Sequence, residues 1–253
     1  MMQAPYHLCC LVEIAPRVST SEWLAAFSAR ARAVALEEPR TLAYQAAISV
    51  QRPGSVLCLE RYSSSEALAD HLRQPAHRRL LDVFTKGKMS KRAVLANCQL
   101  KCVPNFGFWE RPDAGTTTGK MERLLPPQQV SVLALRFASP LDADAAIARL
   151  QPAAAALHNT RTISPAGPRV TVCGAGRFLG EKAKGDFDLR KGDVVFILAH
   201  DLAGSVLSHQ RHAMVDTLLS AEGGTVAMPV QVYTTVTGVG FMQRSRCVRS
   251  SAL

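Results

Sequence analysis

Short apolar runs bounded by turn residues predict strands at His7–Ile14, Leu42–Val50 and Ser55–Tyr62. Between the first two, a helical period runs over Ser19–Glu38, opened by Ser19 and Glu22 in capping-box spacing. Arg52-Pro53-Gly54-Ser55 is a turn signal joining the second and third strands. After Tyr62 the period becomes helical over Glu66–Gln74 and Arg78–Thr85, interrupted by Pro75, with Leu68, Leu72, Leu80 and Leu81 as its apolar stripe. Ser63 and Glu66 have capping-box spacing at the start of that stretch. Gln99–Trp109 is the last strand of this half.

The same order of elements returns. Gln129–Phe137 is a strand, and a helix of about 18 residues follows Ser139 with Pro140 at its first position. Arg169–Cys173 and Asp193–Ala199 are strands, Ser205–Glu222 a helix and Val230–Phe241 a strand. Sliding the chain by 138 residues sets His71 on His209, Leu80-Leu81 on Leu218-Leu219 and Tyr62 on His200 without a gap. Phe106-Gly107-Phe108 resembles Val239-Gly240-Phe241 at an offset of 133. Each half reads βαββαβ, which predicts an α+β fold of two ferredoxin-like domains, each an antiparallel sheet with helices on one face. Residues 1–110 form the first domain and 128–244 the second. The Gly-, Thr- and Pro-rich stretch 111–127 is the linker, and 245–253 a basic tail.

Composition narrows the function classes. At 47% hydrophobic residues, each half can build a core, and no apolar run approaches the ~20 residues that span a bilayer. The N-terminus lacks a basic stretch ahead of its short apolar run, which Glu13 interrupts, so no signal peptide is expected. Seven scattered cysteines, an odd number, fit a reduced, cytoplasmic protein. Cys9-Cys10 read as strand residues. The net charge of +10 reads first as a solvated basic surface. Lys86, Lys88, Lys91 and Arg92 cluster, but without the interleaved aromatics of a nucleic-acid footprint. A basic mouth drawing in an anionic small substrate fits better.

Several motifs are decoys. Cys173-Gly174-Ala175-Gly176-Arg177-Phe178-Leu179-Gly180 looks like a dinucleotide turn, but the charged, glycine-rich stretch after it opens no helix. A long hairpin loop is the expectation there. Gly119-Lys120-Met121 lacks the rest of a phosphate loop. His209 and His212 share a predicted helix with Asp216, and His200 ends the strand before, yet no spacing fixes a third metal ligand. No Gly-x-Ser-x-Gly nucleophile elbow occurs. The informative junction is Glu60 to His77, where an acid, a phenol and an imidazole meet at one strand–helix boundary. His71 could act as a base near neutral pH, and Tyr62 could donate to a carbonyl or oxyanion. Glu60 needs a partner if it faces the helices, and His71 is the candidate. A purely structural trio is equally open.

Glu60-x-Tyr62, then Ser-x-x-Glu-Ala-Leu, His71 and Pro75-x-His77, resembles the antibiotic biosynthesis monooxygenase family over roughly residues 7–108. Glu38-Pro39 with Leu42-x-Tyr44 resembles a second stretch of that family, with Arg40 where glycine is usual. The second half is a divergent copy. The resemblance implies that the two sheets pack as a dimeric α+β barrel within one chain, as a monomeric pseudo-dimer or a further homodimer. It also implies a monooxygenase acting on polycyclic phenols or anthrones of aromatic polyketide pathways, using molecular oxygen and no metal, flavin or nicotinamide. In this reading His71 is the base, Tyr62 the oxyanion or carbonyl donor, and Glu60 orients one of them. His209 and His200 are the second-half reserves. The Asn and Tyr that flank the strand-end aromatic in anthrone-oxygenating members are Cys58 and Leu68 here, and Phe196 and Val206 in the second copy, so that catalytic set does not carry over. An isomerase or cyclase without oxygen capture, a non-catalytic binding protein and a haem-degrading relative are the alternatives.

Overall fold

A computed structural model describes residues 6–85, 89–109, 127–159, 170–201 and 224–241. In the first half, strand β1 (Leu8–Pro16) leads into helix α1 (Thr20–Glu37), β2 (Thr41–Ser49) and β3 (Val56–Tyr62). Helices α2 (Ser65–Arg73) and α3 (Pro75–Thr85) follow, then β4 (Ser90–Cys102) and a short β5 (Phe108–Trp109). The second half runs β6 (Gln128–Arg136), α4 (Pro140–Asn159), β7 (Val170–Phe178), the short β8 (Lys184–Gly185), β9 (Val194–Asp201) and β10 (Thr225–Phe241). The expected linker, the helix Ser205–Glu222 with His209 and His212, and the basic tail lie outside the described residues.

Local chemistry sets the helix starts. The Ser19 hydroxyl accepts the Glu22 amide proton at 3.2 Å and opens α1, as its spacing predicts. In α2 the cap is Ser64, one residue later than expected, with its Oγ accepting from Ala67 N at 3.3 Å. Three serines in a row leave that choice to the backbone. Pro75 does not interrupt a helix; it begins α3, where its missing N–H has no partner to lose.

Both halves are ferredoxin-like. Strand order is β2-β3-β1-β4 in the first and β7-β9-β6-β10 in the second. Antiparallel pairing of β10 with β2 joins one pair of edges, and pairing of β4 with β7 joins the other, so the sheet closes into an intrachain α+β barrel. The closure explains two strands that run further than expected. β4 begins at Ser90 rather than Gln99 because its early residues pair with β1 and β8. β7 continues through Gly174 and Gly176 to Phe178, and the expected loop is a strand. There a Cβ on Gly176 would press on Leu100 Cβ at 2.8 Å, so glycine lets β4 come close.

Alternate residues of every strand then divide between two environments. Leu57, Leu59, Leu11, Ala47, Val132 and Ile197 pack inside the barrel. Val56 and Cys58 face the first helical layer with Trp23, Phe27 and Val34 of α1. Val194, Phe196 and Leu198 face the second layer with Ala143, Ile147 and Leu150 of α4. The 138-residue offset thus keeps faces as well as order. Each half also sends an arm over the other: Phe106 packs edge-on against Phe196 at 5.7 Å, while Val236 and Val239 pack into the first layer. Gly107 and Gly240 occupy equivalent places in these arms. Both have positive φ, 60° and 91°, and a Cβ on either would run into a carbonyl of the facing strand, Cys173 or Tyr44.

Candidate active site

The first helical layer does not close completely on the sheet. A cavity of about 590 Å3 lies between them, and its walls include Trp23 and Phe27 of α1, Leu68 and Leu72 of α2, and Leu80 and Phe84 of α3. From the sheet come Tyr44, Cys58, Glu60 and Cys98, with Asn97, Gln99 and Arg92 of β4 adding polar groups. His77 of α3 completes the wall. Glu60 is on this face because it alternates with Leu59 and Arg61, which face the barrel.

Glu60 accepts a 2.8 Å hydrogen bond from the Tyr62 hydroxyl. Burial pushes the Glu60 carboxyl above the usual range, against the pull of His71, Tyr62 and Arg30. The Tyr62 and Tyr44 phenols are also pushed up, first by burial and then by the Glu60 charge, so both stay protonated. The cavity wall therefore carries one carboxyl held above its usual range and one phenol able to donate.

His71 lies one layer behind and is only 1% exposed. Its expected partner was Glu60; its actual one is Glu38, at the C-terminal end of α1. His71 Nδ1–H donates to Glu38 Oε2 at 2.6 Å, and Arg30 binds the other Glu38 oxygen. Burial opposes ionisation of Glu38, but the hydrogen bonds and charges of His71 and Arg30 prevail and lower its pKa to about 2. Such a buried, fully engaged carboxylate holds an imidazole in one tautomer and orientation. The His71 ring is tilted against Tyr44, Tyr62 and His77, with centroids 5.4, 5.3 and 4.4 Å away. Its Nε2 is buried without a hydrogen-bond partner, as is His77 Nδ1. Burial, His71 and Arg30 together lower the His77 pKa to about 4, so this ring is neutral at pH 7.

Residues 15–82 match the family model described as antibiotic biosynthesis monooxygenase. The matched stretch lies within the first half of the chain. The match spans the Glu60–His77 signature and the Glu38–Tyr44 stretch, and it supports an oxidoreductase of the monooxygenase type. Solved structures extend the likeness in fold to nearly the whole chain. A candidate monooxygenase from Lactobacillus acidophilus NCFM is 11% identical with a TM-score of 0.62, and the match covers 95% of this chain and 97% of that one. A second candidate monooxygenase, from Fusobacterium nucleatum, gives 8% and 0.57, covering 96% and 97%. An anthrone oxidase-like protein gives 16% and 0.53, covering 91% and 92%. No curated protein matches the chain.

The structure brings Glu60, Tyr62 and His71 together but puts only Glu60 on the cavity wall. His200 is buried on the second layer's face of β9, with Leu198 where the first half has Glu60. His209 lies outside the described residues. Among the described residues, no three His, Cys, Asp or Glu side chains form a group that could hold a metal ion. No described helix is long and apolar enough to cross a membrane. The six described cysteines are free, and Cys9 and Cys10 are buried strand residues. Arg30 is the site residue that sequence reasoning missed. Its signal was present: Trp23, Phe27, Arg30 and Val34 share one helical stripe, and an arginine on an apolar stripe needs a buried acid.

Proposed function

We propose that the protein is a cofactor-independent monooxygenase that oxidises a polycyclic phenol or anthrone-type intermediate of aromatic polyketide biosynthesis. The observation that carries this reading is Glu60, a half-buried carboxyl with a raised pKa on the wall of a largely apolar cavity. The volume suits a fused-ring substrate. Glu60 takes a proton from the carbon or hydroxyl of the bound substrate, where apolar walls of Trp23, Phe27 and Phe84 keep water out. Tyr44 and His77 are placed on the same wall to donate to the oxygen that gains charge. Tyr62 holds the Glu60 carboxyl in position, and the Glu38–His71–Arg30 cluster fixes the ring layer behind it. His71 is thus a positioning residue, and Glu60 takes the role of base.

The electron-rich anion supplies the reducing power itself. It gives one electron to O2, the two radicals combine into a carbon-bound peroxide, and loss of water leaves a carbonyl. Overall, a CH2 group and O2 become C=O and H2O, so atoms and electrons balance without another reductant.

The test is incubation of metal-stripped protein with a panel of anthrones and naphthols, with and without air, read by mass. Oxygen-dependent conversion of CH2 to C=O is expected, with the new oxygen atom derived from 18O2. A product of unchanged mass formed equally without air would replace this reading with an isomerase or cyclase.

A further inference from the structure

On the barrel side of the same strand, next to Glu60, Arg61 lies beside a second cavity of about 350 Å3 at one end of the barrel. Its Nη2 donates to His7 Nδ1 at 2.8 Å, and its Cζ sits 4.9 Å from the centre of the Trp109 ring. Its Nε is buried without a hydrogen-bond partner. None of the described residues lining this cavity is an aspartate or glutamate.

The opposite end of the barrel shows what a buried charge requires in this fold. Glu13 is fully buried, and Arg52 grips it with Nε at 2.8 Å and Nη2 at 2.6 Å, while the Tyr233 hydroxyl donates at 2.8 Å. Arg61 has a ring nitrogen, the Cys102 thiol and an aromatic face beside it, but no aspartate or glutamate among the described residues that line its cavity. The guanidinium is half-buried: its Nε edge is shielded from water and has no partner, so an anion entering the cavity meets a donor that is still unpaired. The free Nε edge of a guanidinium suits a carboxylate, which it meets in its own plane.

The rest of the cavity is shaped for a ring. Trp109 and Tyr6 offer aromatic faces. Gly174 leaves space on β7, where a Cβ would stand in ordinary contact 3.7 Å from the Trp109 ring, while the place of a side chain on neighbouring Gly176 is taken by Leu100. These are the glycines that imitate a dinucleotide turn in the sequence.

We propose that this barrel-end cavity binds a small aromatic carboxylate, its carboxylate on Arg61 and its ring beside Trp109. The site is separate from the Glu60 cavity and stands whether or not the oxygenase reading holds. The two lie on opposite faces of β3, at adjacent residues.

The test is calorimetric titration of the full chain with benzoate, benzamide and inorganic phosphate. Benzoate should bind saturably and at least tenfold more tightly than the other two. Arg61→Gln should weaken benzoate at least tenfold, and Gly174→Val should abolish binding by filling the space, both with circular dichroism unchanged. A crystal soaked in 4-bromobenzoate needs no variant: an anomalous bromine peak beside Arg61 is expected. Equal binding of benzoate and benzamide, phosphate as tight as benzoate, or bromine only in the Glu60 cavity would each overturn the proposal.

Discussion

The two helical layers descend from one pattern and have been filled in opposite ways. Beside β3 the first layer keeps Glu60 on the wall of an open cavity, with Tyr62, His71, Glu38 and Arg30 packed behind it. Beside β9 the second layer places Leu198 at the Glu60 position and Phe196 at the Cys58 position, and Phe106 from the other half's arm packs on Phe196. A buried acid stabilises nothing by itself, because removing a carboxylate from water is costly unless partners repay it. A leucine at the same point contributes about 1.5–3 kcal/mol of burial. On the proposed function the first layer gives up packing for chemistry, while the described part of the second packs apolar residues against the shared barrel.

The contrast can be broken most sharply at its paired positions. Glu60→Gln should lower turnover by about 10^2–10^4-fold while leaving the unfolding midpoint near wild type, because it removes the base but keeps the shape. Oxygen uptake with an anthrone substrate reads the first, thermal denaturation the second. An unchanged rate would remove Glu60 from the mechanism. Arg30→Met should destabilise the protein by about 3–5 kcal/mol, since Glu38 would be left buried with only His71 and the Thr41 hydroxyl as partners. Urea unfolding measures this, and a loss under about 1 kcal/mol would show that the cluster is not the keystone of its layer. Leu198→Ala should lower stability by about 2–5 kcal/mol and leave kcat of the folded enzyme intact. A fall in kcat without a fall in stability would mean the second layer holds chemistry after all.

The smallest effect sharpens the comparison through pH. Folded His77 has a pKa of about 4 against an ordinary 6.5, so the unfolded chain takes up a proton first as pH falls. Its stabilising contribution is complete above about 6.5 and is lost towards about 4. Glu38, held at about 2 against 4.5, also contributes fully at neutral pH but begins to lose its contribution only below about 4.5. His77→Phe should therefore flatten the decline in unfolding free energy between pH 6.5 and 4.5 and leave the steeper acid limb in place. An unaltered slope in that window would contradict the neutral, buried state of His77.

Much of this architecture was legible because strand faces repeat with period two and helices with period 3.6. Glu60 could be assigned a face from its neighbours, and the 138-residue offset set β9 on the same faces as β3. The misreadings have a common cause. Glycines at 174 and 176 and the basic start of β4 look like loop in isolation, but barrel closure turns them into strand by supplying partners far along the chain. His71 was recognisable as a buried polar group, whereas its partner was not. Glu38 is 33 residues away at a helix end, and only the packing of α2 on β2 and β3 brings them together. The roles of Tyr44 and His77 depend on where a cavity opens, which no periodicity encodes.

Covalent fusion of the two halves has a consequence for inheritance. In a barrel made of two identical chains, each new codon appears on both sides of the dyad, so a change that opens one pocket opens both and weakens the assembly twice. Here positions 60 and 198 are written separately. The gene can explore riskier chemistry on one side while the other stays conservative, and the barrel between them carries the reserve that makes such exploration survivable.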